Sequence, residues 1–231
     1  YNILMKGDVK IKPWLRLDDK IVFNAIHSDK MHNYGTDVSF NSITRLRPTT
    51  ILEFPDLPYY MEEGDREQYE QYIGMPTSGF LNLLGYLEKG GRTTFNNGDL
   101  YLTQGLTLTP LKGLKFRGEF TYNVYFKKYQ DVANKIDFVE INLTADPMVT
   151  NELSANDYIQ NTNNYNQGYV LNTYAEYENK FKEHYLKAMV GFNQEWNRYE
   201  WFSASANNLL VPNIWDLKAT TGEQITNGNK Q

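Results

Sequence analysis

The chain has 231 residues, a length that suits one large domain or two small ones, with 41% hydrophobic residues and a mean hydropathy of −0.61. No run approaches the roughly 18 consecutive apolar residues of a membrane-spanning helix, and the absence of cysteine excludes disulfides, thiolate metal sites and cysteine nucleophiles. The net charge of −5 argues against a general nucleic-acid binder, and it is local: seven carboxylates stand between Glu53 and Glu70 against Arg66 alone, and without that net −6 the remainder is near +1.

Residues 3 to 11 alternate, with Ile3, Met5, Gly7, Val9 and Ile11 set against Leu4, Lys6, Asp8 and Lys10. A period of two sends successive side chains to opposite faces of a strand. Lys12-Pro13-Trp14 reads as a tight turn, proline supplying the fixed φ. The return strand has Leu15, Leu17, Ile21, Phe23 and Ala25 on one face, interrupted by Asp19, and Arg16, Asp18, Lys20 and Asn24 on the other. Tyr1 opens on this pattern with no secretory leader, so the chain reads as mature or as a piece of something longer.

From Ser28 to about Thr93 the alternation stops, and Pro48, Pro55, Pro58, Pro76, the acidic run and Gly90-Gly91 are loop chemistry. Leu81, Leu83, Leu84 and Leu87 fit a short helix packed under that loop. A connection of this length is unusual in a compact soluble domain, where loops beyond about 15 residues are uncommon. Asp99 to Thr109 resumes the alternation, with Leu100, Leu102, Leu106 and Leu108 on one face, interrupted by Gln104. Pro110 to Gly113 then turns the chain into the most regular stretch, Leu114 to Lys127.

That stretch, LKFRGEFTYNVYFK, places Leu114, Phe116, Gly118, Phe120, Tyr122, Val124 and Phe126 on one face. The other face carries Lys115, Arg117, Glu119, Thr121, Asn123, Tyr125 and Lys127. A soluble sandwich strand alternates likewise but is usually about 5 or 6 residues long. Fourteen residues at about 3.3 Å, tilted by about 40°, span roughly 35 Å, more than the roughly 25 Å apolar band of a transmembrane barrel. Residues 130 to 168 read as a second long connection, ending in an Asn-, Gln- and Tyr-rich run. A third hairpin runs from Tyr169 through a Glu178-to-His184 turn to about Trp201, and Phe202 to Gln231 reads as a third long loop without a closing strand.

Six strands, tight turns at one end and long connections at the other are the pattern of short periplasmic turns and long extracellular loops. The fold expected is all-β: an antiparallel transmembrane β-barrel segment of about six strands in three hairpins, too few to close a barrel alone.

Several stretches carry a family resemblance. KEHYLKAMVGFNQEWNRYEWFSASANNLL (Lys182 to Leu210), preceded by Tyr177 to Phe181, resembles the late-middle barrel of TonB-dependent transporters of the SusC/RagA type. LTQGLTLTPLKGLKFRGEFTYN (Leu102 to Asn123) is similar to that family's preceding hairpin, and RLRPTT (Arg45 to Thr50) and LEKGGRTT (Leu87 to Thr94) resemble it too. The resemblance implies that residues 1–231 are part of a plugged barrel of about 22 strands. It implies an outer-membrane importer in a Bacteroidota-like organism, driven by TonB–ExbB–ExbD through plug and TonB-box parts that this sequence lacks. It further implies a SusD-like surface lipoprotein over the mouth, contacts with membrane lipid and lipopolysaccharide, and a dimer of transporter–lipoprotein pairs. The cargo implied is an oligosaccharide or a peptide, and no enzyme activity is expected.

Catalytic chemistry has little support in the residues. His27, His32 and His184 lack any spacing such as HExxH and read as exposed loop or turn residues. Glu62, Glu63 and Asp65 offer the oxygens that Ca²⁺ takes but no EF-hand pattern, so they read as a solvated loop with no metal or cofactor. Candidate cargo contacts are aromatic and amide residues of the long loops: Asp56, Tyr59, Tyr60, Asn156, Asp157, Tyr158, Asn163, Asn164 and Tyr165. Rings stack on sugar CH faces while amides and carboxylates bond hydroxyls; the same composition also suits loops that face water or a partner. Trp14, Trp196, Tyr199 and Trp201 lie near strand ends and are expected in an interfacial girdle. Two other readings stand beside the importer: a soluble secreted carbohydrate-binding β-sandwich, and a siderophore-type TonB-dependent receptor.

Overall fold

The computed structural model describes residues 1–32, 44–45, 47–48, 51–58, 62–77, 82–140, 148–150 and 157–230. Its main body is one seven-stranded antiparallel sheet. In chain order the elements are β1 (Asn2–Lys12), β2 (Leu15–Met31), α1 (Glu63–Glu70), α2 (Leu83–Lys89), β3 (Arg92–Leu111), β4 (Leu114–Ala133), β5 (Phe138–Glu140), β6 (Met148–Thr150), β7 (Tyr158–Phe181), β8 (His184–Asn207) and β9 (Gln224–Lys230). The sheet order β1-β2-β3-β4-β7-β8-β9 is an up-and-down meander that does not close on itself. β5 and β6 form a separate two-stranded ribbon.

The three hairpin turns are two residues long, Pro13-Trp14, Lys112-Gly113 and Lys182-Glu183, and they share one end of the sheet. Gly113 has φ +83, and a side chain there would also strike the Glu178 carbonyl of the neighbouring hairpin, whose amide donates to Gly113 O at 2.7 Å. Lys182 makes its turn with φ 54, a conformation that disfavours any residue with a Cβ.

The strands are longer than the sequence indicates. β7 and β8 have 24 residues each, which at about 3.3 Å and a 40° tilt would rise about 60 Å. The expected connection from residue 130 is therefore shorter: β4 runs to Ala133 and β7 starts at Tyr158, so Asn163 and Asn164 are strand residues. The expected terminal loop also contains structure. β8 continues to Asn207, and β9 returns to pair Gln224 with Ala206 and Lys230 with Glu200.

Among the described residues the buried core lies at the loop end. Val132, Ile159 and Ala206, aligned across β4, β7 and β8, are covered by Leu209, Trp215 and Leu217. Tyr86, Ile136 and Phe138 form a second cluster with Met31. The expected short helix is α2, capped by Asn82, whose Oδ1 accepts from Gly85 N at 2.9 Å while its Nδ2 donates to the carbonyls of Thr77 and Leu52. The acidic run forms part of a helix rather than only a loop: in α1, Glu63 and Asp65 occupy the first turn, where carboxylates oppose the helix dipole favourably.

Candidate functional site

The register converts alternation into two continuous faces. Val9, Leu17, Leu106, Gly118, Thr173 and Phe192 share a cross-strand row, and the next row but one holds Met5, Ile21, Leu102, Tyr122, Tyr169 and Trp196. Between them lies Gly7–Asp19–Gln104–Phe120–Leu171–Gln194. The two interruptions seen in the sequence, Asp19 and Gln104, are thus one feature, directly paired.

This apolar face is open. Phe116 is 40% exposed and Phe120 and Phe126 are each 42% exposed. Its upper edge is sharp across the middle of the sheet. Ala25, Gly98, Phe126 and Tyr165 form its last row on β2, β3, β4 and β7, and His27, Asn96, Lys128 and Asn163 follow on the same face. There His27 Nδ1 and Asn96 Oδ1 are 2.7 Å apart. On β2 and on β8 the apolar side runs from Leu15 to Ala25 and from Leu186 to Trp196, about 25 Å of rise in each.

The opposite face is polar. Arg117 on β4 reaches across β3 to Asp18 on β2, with Nη2–Oδ2 2.9 Å, and also donates to Glu119 (3.1 Å) and Thr107 (3.2 Å). Gly105 on β3 permits that reach, because a Cβ there would lie 2.1 Å from Asp18 Oδ2. Nearer the loop end, Lys127 lies over the rings of Phe95 (5.7 Å) and Tyr129 (5.6 Å). Ile26, Asn97, Lys127, Asn164 and Trp201 form its cross-strand row. An amide, an aromatic ring and a cation therefore stand together on one face, a set suited to a polar ligand with apolar patches.

The sequence candidates divide accordingly. Asn164 and Trp201 meet in this row, whereas Asn163 and Tyr165 lie on the other face, Tyr165 donating to Gln167 at 3.3 Å. Tyr158 has its hydroxyl bonded to Asp131 Oδ2 at 2.7 Å, Asp157 is half-buried with its carbonyl accepting from Asn208 N, and Asp56 is exposed on a loop. Tyr59, Tyr60 and Asn156 lie outside the described residues. Of the aromatic set near strand ends, Trp14 occupies a hairpin turn and Trp196 the apolar face, stacked on Tyr169 at 5.8 Å; Tyr199 and Trp201 fall on the polar face. Phe95, Asn97, Lys127 and Tyr129 were not singled out by sequence, although they share the parity of the polar face.

The histidines fit expectation in part: His27 and His184 are exposed, as expected, but in strands rather than a loop or a turn. His27 is in β2, His184 opens β8, and His32 is buried. His32 Nδ1 lies 2.8 Å from Asp131 Oδ1, which also accepts from Thr93 Oγ1 at 2.5 Å. Burial pushes the Asp131 carboxyl upward, but hydrogen bonds from His32, Thr93 and Tyr158 outweigh it, and the group sits below its ordinary value. The network ties β3, β4 and β7 to the end of β2 at the loop end. Among the described residues no group of three His, Asp or Glu side chains could hold a metal.

No protein-family description matches the chain, and no curated protein does. Solved structures do match. The RagAB peptide transporter aligns with TM-score 0.56 at 13% identity over 96% of this chain and 24% of that one. The RagAB peptide importer in its open-open state gives 0.64 at 13% over 99% and 24%, and in its closed-closed state 0.54 at 14% over 96% and 23%. This chain folds like a stretch of the RagAB importer. At such identity the likeness shows the fold alone, and the chain spans about a quarter of the length of the structures it matches.

Proposed function

We propose that this chain is part of the barrel wall of a TonB-dependent outer-membrane importer of the SusC/RagA type. Its apolar face meets lipid, its polar face lines the lumen, the two-residue turns are periplasmic and the long connections extracellular. It takes up a nutrient, an oligosaccharide or a peptide, beneath a SusD-like lipoprotein, with energy coupling through TonB supplied by the rest of the protein. Trp196 with Tyr169, and Trp14, belong to the interfacial girdle. Trp201, Asn164 and Lys127 face the cargo path.

One observation carries the reading. Large apolar side chains remain open along about 25 Å of sheet, end in a single cross-strand row over β2, β3, β4 and β7, and give way to buried core only beyond it. A soluble sandwich needs that face sealed by a second sheet, and among the described residues none covers it. The RagAB likeness, a likeness of fold, supports the barrel over the sandwich.

Residues 1–231 contain no cysteine, so once any cysteine elsewhere in the protein is replaced, single cysteines placed at each position from 114 to 127 report one site each. In native membranes, odd positions should react with a charged thiol reagent, while even positions should resist it and be quenched by lipid-borne nitroxides. Reactivity without a period of two, or reactive even positions, would sink the barrel reading. Co-purification of a lipoprotein under mild detergent tests the partner, and its absence counts for the siderophore receptor.

A further inference from the structure

Three successive rows of the polar face carry the charges of β1 and β2 in stripes of one sign. Lys10 stands opposite Arg16, Asp8 opposite Asp18, and Lys6 opposite Lys20. Like charges directly opposed across a sheet repel each other, so each row depends on the rows beside it. The acid row is satisfied from one side. Asp8 takes Arg16 at 3.1 Å, and Asp18 and Glu119 take Arg117 at 2.9 and 3.1 Å. Both arginines belong to the row of Lys10.

The row of Lys6 and Lys20 on the other side has no such partner. Among the described residues no carboxylate comes within 4.0 Å of either ammonium group. The same row continues into Thr103 and Thr121, whose hydroxyls are 3.0 Å apart. All four side chains line a cavity of about 780 Å³, which Arg16, Arg117 and the carboxylates of Asp8, Asp18, Asp19 and Glu119 also line. Two ammonium groups outside any ion pair, beside two hydroxyls, form a donor set for a carboxylate, which accepts charge-assisted bonds at both oxygens. Within an enclosed lumen such a pair of cations is screened less than on an open surface.

Resting on the barrel reading, which makes this face a lumen, we infer that Lys6, Lys20, Thr103 and Thr121 form a carboxylate-binding site. Its occupant reaches it from inside the barrel, as an Asp or Glu of another segment of the same protein or as the carboxylate of a cargo. The chemistry at the wall is the same for both.

The test is carbodiimide coupling of the intact protein in native membranes, followed by peptide mapping. The reagent activates a carboxyl group, a contacting lysine amine displaces it as a urea, and an isopeptide bond remains. A link from Lys6 or Lys20 to an acidic residue other than Asp8, Asp18, Asp19 and Glu119 is expected if the protein itself fills the site. A link to added glycylglycine through its carboxyl group is expected if cargo does. Either link should vanish in the Lys6→Gln, Lys20→Gln double variant. Links only to Asp8, Asp18, Asp19 or Glu119, or no link at either lysine, would overturn the inference. Lys187 and Glu176, 3.1 Å apart across β7 and β8, provide the control. If their link is missing as well, the strand pairing beneath the barrel reading fails, and the site fails with it.

Discussion

Phe120 is the most informative position for separating a lipid-facing sheet from a water-facing one. It stands six residues from each end of the apolar stretch Leu114–Phe126, about 15 Å from either edge at strand rise and tilt. Phe126 is on the last apolar row. Both are 42% exposed, so in water replacing either by Lys rather than by Leu would change stability by no more than about 0.5 kcal/mol. In a bilayer, Lys costs about 2–4 kcal/mol near the midplane of a barrel's lipid face and about 0–1 at its edge. Phe120→Lys also removes a ring contact with Tyr169 at 5.8 Å, worth about 0.5–1.5 kcal/mol. Phe120→Leu removes the same contact without adding charge and is the reference. Guanidinium unfolding of the intact protein in phosphatidylcholine vesicles should place Phe120→Lys about 2–4 kcal/mol below Phe120→Leu, roughly 30- to 900-fold in the folding equilibrium. Phe126→Lys should lie within about 1 kcal/mol of the parent. Equal effects at the two positions, or Phe120→Lys matching Phe120→Leu, would refute the assignment of this face to lipid.

The polar face and the loop end yield further expectations. Gly105→Ala puts a methyl 2.1 Å from Asp18 Oδ2 and forces that carboxylate from Arg117, so a double-mutant cycle with Asp18→Ala should show a coupling of about 1 kcal/mol; additive effects would mean the bridge does not form. Asp131 is held below its ordinary value, so the stability it contributes is complete above the unfolded carboxyl pKa of about 3.9 and is lost as pH falls through the lower folded value. Hydrogen-exchange protection around Val132 and Ile159, corrected for intrinsic rates, should weaken below about pH 4 in the parent, whereas Asp131→Asn should be weak throughout and flat. Trp201→Ala and Asn164→Ala should lower cargo binding while Tyr165→Ala, on the other face, should not; the reverse order would remove the polar-face row from the cargo path. Lys182→Gly should raise stability by about 1 kcal/mol by relieving a positive φ, read in the same unfolding assay.

Where one face is apolar and the other charged, the sequence was legible to the residue. The faces of β4 and the turn-side half of β8 could be written down because every second side chain changes character. Legibility ended where the apolar face ends. Tyr158 to Gly168 has Asn and Gln on both faces and composition that disfavours strand, yet it is strand because β4 and β8 supply ladders on both sides. β9 is short and contains Asn227, Gly228 and Asn229; it forms because Leu209, Trp215 and Leu217 fasten the preceding loop onto Val132, Ile159 and Ala206 and return the chain to β8. For Tyr199 and Trp201 the needed signal was present. They share the parity of Glu195 and Asn197, so alternation alone puts them opposite Trp196, whereas nearness to a strand end says nothing about facing.

The two ends of the sheet are held by different interactions, and this bears on how such a wall could work. At the turn end, stability comes from backbone ladders, two-residue turns and a cross-strand ion cluster joining β2 to β4. At the loop end it comes from buried packing and one dense polar network on Asp131. The row of His27, Asn96, Lys128 and Asn163 separates the two ends on the apolar face, while the ladders of β4, β7 and β8 run unbroken through both. On the proposed barrel-wall reading, loop-end segments can repack when a cargo or a partner arrives while the apolar rows keep their register, because a one-residue slip there would turn every Phe and Leu to the opposite face.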